Sequence, residues 1–137
     1  ESPDFSDAYN QTITKLADTY TKSGDFAKAG KIYEDLRWSD KLTSEERIEL
    51  IKKSSDAYSK AIEKETNAQE KARLLSRKGI MQKALGNEAA AKEAHIQAGD
   101  LSFESGNLIF AMTEYSYADD EAKSKKAVDA YQASLKK

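Results

Sequence analysis

Apolar side chains recur along this chain at steps of three and four residues, the period of one helix face. Near 6–22, Tyr9, Ile13, Leu16, Ala17 and Tyr20 form such a stripe, with Ser6 placed to cap its start. Near 25–37 the stripe is Phe26, Ala29, Ile32 or Tyr33, and Leu36; near 44–65 it is Ile48, Ile51, Tyr58 and Ile62, with Ser55 filling in. A fourth helix, near 68–85, carries Ala72, Leu75, Gly79 and Gln82, flanked by Leu74, Met81 and Leu85. A fifth, near 87–105, carries Ala91, Ala94, His95, Ala98 and Leu101. The sixth, near 107–118, has Phe110, Ala111, Tyr115 and Ala118, and the seventh, near 120–136, has Val128, Tyr131 and Leu135. No stretch alternates with the period of two that marks a half-buried strand.

Punctuation between these stripes is polar. Ser23-Gly24-Asp25, Leu85-Gly86-Asn87 and Ser105-Gly106-Asn107 read as turns, since Gly accepts the left-handed conformation that ends a helix and Asp or Asn caps the next. Thr43-Ser44-Glu45-Glu46 reads as a capping box after a polar connection from Trp38, which is expected to fold back over the hairpin end. Gly30, Gly79 and Gly99 fall inside helical patterns, where a missing Cβ permits close helix approach. The first four residues are expected to fray, and a start at Glu1-Ser2-Pro3 without Met reads as a processed or trimmed terminus.

Composition agrees with an all-helical chain. Pro3 and Val128 are the only Pro and Val, so helix breakers and β-formers are nearly absent. At 137 residues the length suits one domain, 1–137. A mean hydropathy of −0.79, with no apolar run of about 18 residues, argues against membrane insertion. Acids and bases, 24 and 22, are interspersed, so no basic patch points to nucleic acid. The absence of Cys removes disulfides and thiolate metal sites but leaves the compartment open.

Three stretches repeat one another. After Gly24, Gly86 and Gly106 comes Ala five residues on (Ala29, Ala91, Ala111) and a ring nine on (Tyr33, His95, Tyr115), with a small residue seven before (Ala17, Gly79, Gly99). In the first stretch Leu16, Ala17, Tyr20, Gly24, Phe26, Ala29, Tyr33 and Leu36 resemble the signature of the tetratricopeptide repeat (TPR) family, with Leu36 larger than the family's small residue. The second departs at Lys78 and Gln82, and 44–65 fits no complete unit. The resemblance implies antiparallel helical hairpins in a short right-handed solenoid. Its units would be about 6–37, 68–98 and 87–118, with an extra helix at 44–65 and a capping helix at 120–136.

The same resemblance implies a non-catalytic module that binds a peptide or protein segment in a helical groove. First-helix residues would line it: Thr14 and Asp18, then Arg73, Arg77, Ile80 and Lys83, then Phe103. Arg73, Arg77 and Lys83 form a basic strip suited to an acidic peptide, whereas Thr14 and Asp18 stand where chaperone-binding members use Lys and Asn. The other reading is a structural spacer or oligomerisation segment of a larger assembly, akin to adaptor and coat solenoids.

Catalytic signals are weak. His95 is the sole imidazole, no partner is suggested by spacing, and its place in the repeat makes it a packed core residue. Asp119-Asp120-Glu121 reads as a cap opening a helix rather than a metal site. No phosphate-binding loop, nucleophile elbow or zinc-protease motif occurs, so no enzyme, cofactor or metal is expected.

Overall fold

The computed structural model describes residues 5–137, with side chains from Asp7 onward. Among these are seven α-helices and no strand: α1 Phe5–Ser23, α2 Phe26–Leu36, α3 Ser44–Lys64, α4 Ala68–Ala84, α5 Glu88–Glu104, α6 Leu108–Tyr117 and α7 Glu121–Ser134. The first four residues, expected to fray, lie outside the described residues. Because α1 already includes Phe5, Ser6 sits within the helix and is not its N-cap.

The chain divides into two compact units, residues 1–63 and 64–137. In the first, Ala17, Ala29, Tyr33, Leu36, Leu50 and Ala57 form a core that Ile13, Tyr20, Ile32 and Leu42 flank. In the second, α4 packs on α5, α5 on α6 and α6 on α7.

The hairpin turns share one mechanism. Gly24, Gly86 and Gly106 sit at φ of 88°, 83° and 83°. The next amide then donates back across the turn, from Asp25 to Tyr20 O at 2.9 Å, Asn87 to Gln82 O at 2.9 Å and Asn107 to Ser102 O at 2.8 Å. These bonds satisfy carbonyls that a helix end otherwise leaves open. The α6–α7 turn does the same with Asp119 at φ 56°, and Asp120 N–H reaches Tyr115 O at 3.0 Å. Asp120 then caps α7 by accepting from the Lys123 amide at 3.0 Å. The capping box opening α3 is reciprocal: Glu46 N–H donates to Thr43 Oγ1 at 3.1 Å, and Thr43 N–H to Glu46 Oε1 at 3.0 Å.

The mid-helix glycines mark where rings lie flat on a neighbouring backbone. A Cβ at Gly30 would stand 2.9 Å from the Tyr58 ring, one at Gly79 2.7 Å from His95, and one at Gly99 2.5 Å from Tyr115.

Part of the expected apolar stripe faces out. Tyr9, Leu16, Ile48, Val128 and Leu135 are exposed; Ile48 lies in the first turns of α3 and Leu135 just past the end of α7, where fewer neighbours cover a helix. Trp38 does not fold back. It is 70% exposed, and its ring lies against the Arg37 guanidinium 4.4 Å away, which is itself anchored on Glu34 O at 2.6 Å.

Candidate functional site

The same three side chains meet in each unit. In the second, the Tyr115 hydroxyl donates to Asp100 Oδ1 at 2.6 Å and Lys123 Nζ donates to that oxygen at 2.8 Å, with the ammonium 5.7 Å from the Tyr115 ring centre. In the first, the Tyr33 hydroxyl donates to Asp18, Lys53 Nζ stands 3.9 Å from Asp18 Oδ1, and the ammonium lies 5.6 Å from the Tyr33 ring centre. The Asp and Tyr are 15 residues apart in both. Asp thus follows the small residue of the repeat, and Tyr is the ring of the facing helix.

Each triad changes its proton affinities in the sense its charges require. Burial pushes the Tyr33 hydroxyl up, and its bond to Asp18 adds to this, giving about 12. Tyr115 is raised by burial and then by Asp100. Burial alone would raise Asp100, but its hydrogen bonds from Lys123 and Tyr115, together with the charges of Lys123 and Lys126, outweigh that and hold it below the usual carboxylate value.

In the first unit the triad borders an open cleft of about 420 Å³. Asp18 and Lys22 come from α1, Tyr33 from α2, and Lys53, Asp56 and Lys60 from α3. The Lys60 ammonium sits 5.4 Å from the Phe26 ring centre, so α3 lays two lysines on two rings of α2. In the second unit α7 lays Lys123 on Tyr115 of α6 and Lys126 on Phe103 of α5, the latter at 5.2 Å.

A separate polar network is buried in the second unit. The Ser76 hydroxyl donates to Glu114 Oε2 at 3.0 Å, and His95 Nδ1 meets Glu114 Oε1 at 2.9 Å. Glu114 is 1% exposed and His95 4%. The carboxylate stands between hydroxyl and imidazole, so the order is not that of a serine nucleophile with its base. The network ties α4, α5 and α6 through polar groups that would be costly unpaired. One edge of His95 lines a cleft of about 680 Å³ with Lys83, Glu88, Lys92 and Asp119, and the Tyr117 ring centre is 5.3 Å away.

The residues expected from the sequence scatter. Asp18 enters the cleft through its triad, whereas the Thr14 hydroxyl turns back onto its own helix, donating to Asn10 O at 2.7 Å. Arg73 forks onto Glu70 of its own helix, Nε and Nη2 each at 3.1 Å. Arg77 and Ile80 are half-buried, and Lys83 lines the cleft beside His95. Phe103 packs against Ala111, Tyr115 and Ala127 under Lys126. Lys53, Lys60, Lys123 and Lys126 were not foreseeable from helical spacing, since each finds its ring on another helix. The Asp that follows Ala17 and Gly99 was a readable signal, and Ile80 after Gly79 breaks it.

Among the described residues no three His, Asp or Glu side chains gather to ligate a metal ion, and no helix is long and apolar enough to cross a membrane. No family model, curated protein or solved structure matches the chain.

Proposed function

We propose that this chain is a non-catalytic scaffold of TPR-like helical hairpins, arranged as a short right-handed solenoid, that binds a peptide or protein segment. The observation that carries this reading is the cleft of the first unit. Its lysines are set in place over aromatic rings, and its Asp18 is held by Tyr33 and Lys53. Side chains fixed before a ligand arrives lose less entropy on binding it. The ring-on-small-residue packing at Gly79 and Gly99 and the left-handed turns support the repeat reading. Arg73, Arg77 and Lys83 serve in this reading as a second basic strip.

The test is titration of the chain against an array of 15-residue peptides of varied composition. At least one class is expected to bind saturably. The Arg73→Ala/Arg77→Ala/Lys83→Ala variant then reports whether the second strip takes part. If no peptide of any composition binds, the reading fails. A structural spacer is the second reading, favoured by the exposed Tyr9 and Leu16 of α1, Val128 of α7 and Leu135 just after it. Self-association measured by light scattering, abolished by Leu16→Glu or Leu135→Glu, would select it.

A further inference from the structure

We infer that the cleft of the first unit takes an acidic polypeptide segment, held by Lys53 and Lys60 with Lys22 alongside; this rests on the binding-module reading and specifies its ligand. Lys53 and Lys60 are seven residues apart on α3, so the helical rise places them about 10 Å apart along one face. Each ammonium rests near 5.5 Å from a ring centre, Lys53 over Tyr33 at 5.6 Å and Lys60 over Phe26 at 5.4 Å. A cation over a ring keeps its outward N–H donors available while its stem loses freedom. The Lys53–Asp18 separation of 3.9 Å is at the long limit of an ion pair, and Asp18 already accepts from Tyr33. An incoming carboxylate can therefore share Lys53 without stripping Asp18 of its partner.

The acids in the cleft decide between polyanions. Asp56 lies between the two lysines in sequence, and Asp18 and Asp56 both border the same space. A nucleic-acid strand carries a charge about every 3.4 Å and would press phosphates onto those carboxylates. A polypeptide can set carboxylates about 10 Å apart and place neutral donors between them. Extended chain covers that distance in about three residues.

The probe is a fluorescein-labelled 13-residue peptide with Glu at every third position and Ser and Ala between. A copy with Gln for Glu and a single-stranded oligothymidylate of equal charge are its controls. Fluorescence anisotropy is expected to show the Glu peptide binding more tightly than either control. Its affinity should fall at least tenfold in Lys53→Gln/Lys60→Gln, and weaken as salt rises. Lys53→Arg/Lys60→Arg is expected to retain binding, and Lys136→Gln/Lys137→Gln to leave it unchanged. Circular dichroism confirms that each variant is folded. Equal binding of Glu and Gln peptides, no binding of the Glu peptide, or indifference to Lys53→Gln/Lys60→Gln overturns the inference. Tighter binding of the oligonucleotide through the same lysines overturns it in favour of nucleic acid. Binding of array peptides that survives Lys53→Gln/Lys60→Gln overturns the acidic-segment inference alone and leaves the broader reading standing.

Discussion

Glu34 and Glu114 are the most informative single residues, because a carboxylate is almost never fully buried without partners. Tyr58 donates its hydroxyl to Glu34 at 2.8 Å, and Ser76 and His95 hold Glu114. Each unit thus spends polar contacts on fixing neighbouring helices in one register. The triad tyrosines work similarly at the rim. Tyr33 titrates at about 12 against an ordinary 10.0, raised first by burial and then by Asp18. A folded value above the unfolded one means the contribution is complete below pH 10 and is lost as pH rises through about 12. Absorbance at 295 nm should therefore show a late phenolate phase, shared with the raised Tyr115, whose amplitude Tyr33→Phe reduces by one tyrosine. A titration unchanged by that substitution contradicts the triad. At Gly99 two effects oppose each other. Ala would gain about 1 kcal/mol of helix propensity, but its Cβ would stand 2.5 Å from Tyr115 Cε1. Tyr115 is pinned by Asp100 and cannot swing away, so overpacking of about 1–3 kcal/mol wins. Gly99→Ala is expected to lower the denaturation midpoint; a rise would mean the ring moves freely.

At the scale of elements, the left-handed turns divide into three that use glycine and one that does not. Asp119 holds φ 56° where Gly86 and Gly106 each hold 83°. A residue with a Cβ costs about 1–2 kcal/mol there, and Gly offsets part of that by its freer unfolded chain. Asp119→Gly should raise stability by up to about 1 kcal/mol, measured by urea denaturation, whereas Gly86→Ala should lower it. A loss on Asp119→Gly would show that its side chain supports the turn. This turn also marks what the sequence conveyed. Helices, glycine turns and the capping box are local in origin, fixed by spacing and by side chains within a few positions, and they were readable one residue at a time. Asp119 was readable only as part of an acidic cap, since no residue type announces an Asp in the left-handed region. The Lys–ring contacts and the Glu114 network join different helices, and spacing within one helix carries no record of them. His95 reads as a packed ring from its place in the repeat, but its carboxylate partner lies on another helix, α6.

At the scale of the whole molecule, burial is spread unevenly over the helices of the second unit. α5 buries Ala91, Ala94, His95, Ala98, Gly99 and Ser102 and packs on both α4 and α6. α7 buries only Ala127, although Lys123 ties its first turn to Asp100. Local opening is governed by the apolar area that an element must expose, so α7 should open at much lower free energy than α5. Native-state hydrogen exchange is expected to place the slowest amides of this unit in α5, around Ala94 to Ser102. Those of α7 beyond Ala127 should exchange at least a hundredfold faster. The gradient within α7 is itself diagnostic, with amides near Lys123 to Ala127 slower than those near Tyr131 to Ser134. If the last two turns of α7 prove as protected as α5, something covers Val128 and Leu135 in solution. Repeating the exchange at tenfold lower protein concentration then decides the matter. Loss of that protection on dilution identifies the cover as a second copy, which is the result the spacer reading requires and the binding-module reading does not.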